Sequence, residues 1–130
     1  QDIYTKREKE KLALPPCHML YQFFVEDGKL SCHLFLRSND AFLGAAYNIT
    51  SYCLLTAVIA ELLGLETGEL VYTVSDAHIY ANHLEQVYEQ LSREPKPLPK
   101  LKLTVHSLED WDAELIDYEA HPAIKAEVAV

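Results

Sequence analysis

A chain of 130 residues, 49% hydrophobic and 24% charged, has the make-up of one domain with an ordinary core, not of a disordered or fibrous segment. Its net charge of −9 excludes a general nucleic-acid surface, which needs clustered Lys and Arg, but leaves room for a small anion held by a single arginine. Three cysteines without Cys-x-x-Cys spacing indicate neither a disulfide framework nor a zinc knuckle, and free thiols fit a reducing compartment.

Residues 1–13 are mostly polar, and the run from Lys6 to Lys11 reads as an exposed turn or short helix without chemistry. The charged start, Gln1-Asp2-Ile3-Tyr4, has no apolar signal run and points to the cytoplasm, while Gln in place of Met reads as a chain entered partway. Then comes Leu14-Pro15-Pro16-Cys17-His18. Two prolines hold φ at about −65° and remove two N–H donors, so the chain arrives extended and presents Cys17 at a strand edge. Cys17 is the candidate nucleophile; the plainer alternative is a small buried hydrophobe.

His18 to Val25 is aromatic-rich and reads as a strand, and Glu26-Asp27-Gly28 supplies a tight turn. The next strand, Lys29 to Arg37, puts Leu30, Cys32, Leu34 and Leu36 on one face. In so short a hairpin its two ends, Cys17 and Arg37, lie side by side. Ser38-Asn39-Asp40 and Gly44 punctuate a loop, and Asn48 to Leu63 is the longest apolar stretch. At about 1.5 Å per residue it is too short for a membrane span and is expected as a central helix buried on nearly all sides, stopped by Gly64. Glu69 to Val74 reads as a third strand, with Ser75 or Asp76 capping a second helix from His78 to about Arg93. Pro95 to Pro99 is a stiff connector, Leu101 to Val105 a fourth strand, and the tail from Trp111 ends in an uncharged, docked terminus.

Arg37-Ser38-Asn39-Asp40 gathers a guanidinium, a hydroxyl and a carboxylate. Arginine with serine suits a phosphate, and an Arg37–Asp40 surface ion pair is the alternative. Asn48 is either a helix N-cap or an amide that donates and accepts at once, as reading a pyrimidine edge requires. His78 and Tyr80 can orient a sugar hydroxyl, or serve as a capping histidine and a core tyrosine. His18 and His33 with Cys17 and Cys32 match no standard metal-ligand spacing, and no metal is expected.

An ordered series of motifs resembles the thymidylate synthase family: Pro15-Pro16-Cys17-His18, Tyr21-Gln22-Phe23, Leu30-Ser31-Cys32, Arg37-Ser38-x-Asp40, Leu43-Gly44, Asn48-Ile49-x-Ser51-Tyr52 and Leu54-Leu55-Thr56. It continues through Asp76-Ala77-His78-Ile79-Tyr80-x-Asn82-His83 to His121-Pro122-x-Ile124-Lys125-Ala126-x-Val128-Ala129-Val130. The resemblance implies an α/β (α+β) fold across residues 1–130, a mixed sheet packed on the long helix, with the other sheet face used for homodimerisation. It implies that Cys17 attacks C6 of deoxyuridine monophosphate (dUMP), whose C5 then takes a one-carbon unit and a hydride from 5,10-methylenetetrahydrofolate. Arg37 and Ser38 would hold the phosphate, Asn48 would read the pyrimidine edge, and His78 and Tyr80 would bind the ribose, with Asn39, Asp40 and Ile79 in the same nucleotide site. Asp40, Gly44 and Ala129 would meet the folate. Cytidylate-acting relatives carry aspartate in place of Asn48, so asparagine favours uracil. Leu36 stands where the family usually has Gln, Ala46-Tyr47 where it has Pro-Phe, and Ser75 where it has Gly; these changes would weaken polar contacts near the phosphate, add a hydroxyl near the base, and keep a deoxyuridylate hydroxymethylase in view. The resemblance covers the family's C-terminal half, so a companion chain would complete the pocket, and a non-catalytic nucleotide-binding fragment is the remaining reading.

Overall fold

The computed structural model describes residues 15–128; the Lys6 to Lys11 run, Ala129 and Val130 lie outside the described residues. Strands β1 (His18–Glu26) and β2 (Lys29–Asp40) form the expected antiparallel hairpin. Its turn residues, Asp27 (φ 49°) and Gly28 (φ 75°), are both left-handed, the backbone whose twist matches a two-residue hairpin. Helix α1 (Ala45–Leu63) carries the chain across to β3 (Glu66–His78), which pairs with β2 in parallel and gives the sheet order β1-β2-β3. A parallel neighbour cannot be reached by a tight turn, and α1 is the crossover. Beyond it lie a 3₁₀ turn (Ala81–His83), helix α2 (Leu84–Leu91) and a separate antiparallel pair, β4 (Lys100–Val105) and β5 (Trp111–Ile116).

The alternation read from β2 is the core. Leu30, Cys32, Leu34 and Leu36 are buried, and Thr56, Val58 and Ala60 of α1 are buried where that helix packs on β2 and β3. Each such leucine contributes about 1.5–3 kcal/mol by leaving water. Gly64 ends α1 in the left-handed conformation (φ 66°), as its position implied.

Four expectations are corrected. The helix begins at Ala45 with Gly44 as its cap, and Asn48 sits inside its first turn with its N–H donating to the Gly44 carbonyl at 3.0 Å, so Asn48 is not the N-cap. Nor is α1 buried on nearly all sides: Tyr47, Ile49, Leu62 and Leu63 are exposed, because the sheet covers one stripe of the helix. By length and composition alone this 19-residue helix is long and apolar enough to cross a membrane, contrary to the sequence reading. Ser75 and Asp76 cap nothing; β3 runs through them to His78, because β2 continues to Asp40 and offers partners that far, and the second helix shortens to Leu84–Leu91. Strand β5 went unread within the tail although Trp111, Ala113 and Leu115 alternate with Asp112 and Glu114; five of its six residues are exposed, so the alternation marks no buried face.

Candidate functional site

The parallel pairing of β2 and β3 determines where the chemistry gathers. Their register sets Ser38 beside Asp76, Asn39 beside Ala77 and Asp40 beside His78, so both motifs end at the same carboxyl edge of the sheet. Such edges are where open α/β sheets bind ligands. The Ala41 N–H closes the edge by donating to the His78 carbonyl at 2.8 Å. On the other side of β2, the Arg37 N–H donates to the Cys17 carbonyl at 3.0 Å, the neighbourhood the hairpin implied.

A cavity of about 470 Å³ opens there, within the range of small-ligand sites. Its walls are Cys17, His18, Arg37, Ser38, Asn39, Asp40, Asn48, His78, Tyr80 and Val128. Cys17 is half-buried and open to it. The Arg37 guanidinium donates from Nε to the Pro16 carbonyl (3.1 Å) and from Nη2 to the Pro15 carbonyl (2.7 Å). The proline pair therefore does more than stiffen the approach to Cys17: its carbonyls hold the arginine head at the cavity wall, and among the described residues the head's remaining N–H groups have no partner and can serve an anion.

Ser38 Oγ donates to Asp76 Oδ2 at 3.5 Å, and the same carboxylate oxygen lies 3.5 Å from His78 Nδ1. The His78 and Tyr80 rings meet edge to face, 4.9 Å between centroids. Asn48 Nδ2 donates to Asn39 Oδ1 at 2.7 Å. Asp40 Oδ1 accepts from the Phe42 and Leu43 N–H groups (2.9 and 3.1 Å), so the carboxylate serves its own turn and is not paired with Arg37. Its Oδ2 lies 3.8 Å from Nδ1 of the fully buried His83. The other ring nitrogen of His83 faces the Glu127 carbonyl at 2.7 Å and must therefore carry the proton; that bond brings the tail, with Val128, back to the cavity.

Several residues sit elsewhere than expected. Gly44 is outside the cavity wall: a Cβ there would come within 3.0 Å of Asn39 Oδ1 and of the Asp40 carbonyl, so its bareness admits the protein's own atoms. Ile79 is exposed and is not part of the wall. Tyr47 is 78% exposed and Leu36 lies in the core, and neither lines the cavity. Ala129 is outside the described residues. Two wall residues have no individual site role in the sequence reading: His18, weighed only in a rejected metal set, and Val128, covered only by the C-terminal motif around Ala129. His18 Nδ1 and the Tyr52 hydroxyl share a 3.0 Å hydrogen bond with the rings stacked 5.5 Å apart. Burial, reinforced by Tyr21 and Cys32, pushes the Tyr52 hydroxyl above its ordinary range and keeps it protonated. Adjacency to Cys17 was the available signal for His18; for Val128 it was its place beside Ala129 in the terminal motif, and the His83 bond is what brings it in.

Comparison with known proteins gives one consistent result. The family profile described as thymidylate synthase matches residues 2–130. A thymidylate synthase from Mycoplasma mobile is 52% identical over 132 residues, an alignment covering 98% of this chain and 46% of the relative. The chain thus spans less than half the length of that curated relative.

Proposed function

The chain belongs to the thymidylate synthase family, and from that premise we propose that it supplies the nucleophile and the nucleotide-binding wall for reductive methylation of dUMP to dTMP. The observation that carries this reading is the meeting of Cys17, Arg37 and Asn48 in one cavity. The Cys17 thiolate bonds to C6 of the uracil, and the electron pair of the C5–C6 double bond moves onto C5 and O4, leaving C5 nucleophilic. Asn48 faces the base edge, its amide donating to O4 where charge collects and accepting from N3–H. Arg37 and Ser38 take the phosphate, and His78 with Tyr80 takes the 3′-hydroxyl.

The co-substrate 5,10-methylenetetrahydrofolate supplies the one-carbon unit and the hydride when bound. The residues present fit it on one side: Asp40, a partly exposed carboxylate at the cavity wall, can accept from pterin N–H groups, and Val128 offers an apolar surface. The remaining walls come, in this reading, from polypeptide outside these 130 residues, on a companion chain, a second copy or both.

Product analysis tests the proposal. The complete protein containing this chain, given dUMP and methylenetetrahydrofolate, is expected to yield dTMP with dihydrofolate. Hydroxymethyl-dUMP without dihydrofolate would assign the hydroxymethylase reaction instead, and retained dUMP binding with neither product would leave a non-catalytic nucleotide-binding role. Cys17→Ser should abolish turnover, by at least about a thousandfold, and spare dUMP binding, because hydroxyl and thiol are near-isosteric but differ greatly as nucleophiles. Full activity in that variant rejects Cys17 as the nucleophile.

A further inference from the structure

A carboxamide is nearly symmetric in shape and opposite in polarity at its two ends. Uracil presents an N3–H donor and an O4 acceptor; cytosine presents an N3 acceptor and an N4–H donor. An asparagine that faces the base one way complements uracil, and the same asparagine turned over complements cytosine. Asn48 alone therefore does not decide which base the site reads; whatever holds its amide in one sense does.

We infer that Asn39 is that positioning residue, an inference that rests on the nucleotide reading above. Asn39 is 6% exposed, and its Oδ1 accepts from Asn48 Nδ2 at 2.7 Å. Turning the Asn48 amide over sets two oxygens against each other at that distance unless Asn39 turns as well. Gly44 opposes that second turn. The position a Cβ would take at Gly44 lies 3.0 Å from Asn39 Oδ1 and 3.0 Å from the Asp40 carbonyl, so a Cα–H of Gly44 faces a site shared by those two oxygens. A Cα–H facing an oxygen is weakly attractive, and facing an amide NH₂ it is repulsive. Gly44, Asn39 and Asn48 thus form a short chain of polarity in which each group fixes the next, ending in a donor toward O4 and an acceptor toward N3–H.

The test is a pair of substitutions read as a ratio. In the complete protein, dissociation constants for dUMP and dCMP are measured for the native protein, Asn39→Ala and Asn39→Asp. Asn39→Ala removes the acceptor and is expected to lower the dUMP preference by about tenfold, the worth of one oriented hydrogen bond. Asn39→Asp can only accept at that position and is expected to keep the preference within about threefold, whatever its added charge does to both nucleotides alike. A merely structural role would weaken both ligands without moving their ratio. An unchanged ratio in Asn39→Ala overturns the inference and leaves the nucleotide reading intact, whereas a native protein that binds neither nucleotide removes both. Should Asn39→Ala not fold, the free native protein decides: the Asn48 side-chain amide must show one hydrogen slow to exchange in ¹⁵N-resolved spectra, retained in Asn39→Asp, and two freely exchanging hydrogens overturn the inference.

Discussion

Arg37 is tied at both ends of its purpose, to the carbonyls of Pro15 and Pro16 behind it and to the cavity in front. Arg37→Ala should therefore weaken dUMP by at least about tenfold while deoxyuridine changes less than about threefold, and calorimetric titration of both ligands checks it. Arg37→Lys should recover little, since an ammonium cannot span two carbonyls and an anion as a planar fork does. Equal losses for nucleotide and nucleoside would reject the phosphate role. Cys32 carries a pH prediction of its own. Burial raises its thiol above 9.0 in the fold, and the nearby Thr56 hydrogen bond offsets only part of that. The folded value lies above the unfolded one, so the stability from a neutral thiol is complete below about pH 8.5 and is lost as pH rises through the folded value. Thermal unfolding between about pH 8 and 11 should show a steeper loss in the native protein than in Cys32→Ala. At this scale the sequence made Cys17 and Arg37 legible as neighbours, because a hairpin needs only local rules. The Asn39–Asn48 bond was not legible, since it depends on where Gly44 starts the helix, and the exposed placement of Tyr47 depends on that helix's rotation.

The sheet and its crossover show the same division between local and non-local information. The β1–β2 turn and the stop at Gly64 followed from glycine and turn chemistry, whereas the length of β3 followed from its parallel partner and could not be read from its own composition. Gly68 marks the β2–β3 seam, where the pairing slips between Leu30 and Cys32. A Cβ at Gly68 would collide with Ser31 Oγ and come within 2.9 Å of the Leu30 carbonyl, and Ser31 Oγ is itself the acceptor for the Glu69 N–H. Gly68→Ala should cost about 1–3 kcal/mol, the usual penalty of overpacking, visible as a lower denaturant midpoint. The tail is held in a different way. Among the described residues, Arg93 donates to the Pro122 carbonyl and His121 bonds the Glu94 carbonyl, and the buried bond from His83 to the Glu127 carbonyl is the anchor nearest the end, so His83→Ala should speed carboxypeptidase digestion about tenfold, while His83→Gln, which can still donate, should protect the tail. Equal digestion rates in both variants would show that the tail is held by something else.

For the molecule as a whole, the placement of apolar surface decides. Among the described residues, the buried hydrophobic set is Leu30, Cys32, Leu34, Leu36, Val58 and Ala60, while Met19, Leu20, Tyr21, Phe24 and Val25 of β1 are all exposed. Among the described residues strand β1 is also an edge, with one row of backbone donors and acceptors unpaired by them, and an apolar edge strand readily takes up another chain. A sequence whose composition fits an ordinary core thus folds here with much of its apolar surface outside, and no local pattern in the chain announces that. Sedimentation of the 130-residue chain alone is expected to show species well above 14.8 kDa, together with binding of a hydrophobic dye. Supplying the remaining polypeptide of the family fold should abolish the dye signal and slow amide exchange along β1. A monodisperse monomer that binds no dye would mean that these apolar side chains have found cover within the chain, and the case for a shared site would lose its physical basis.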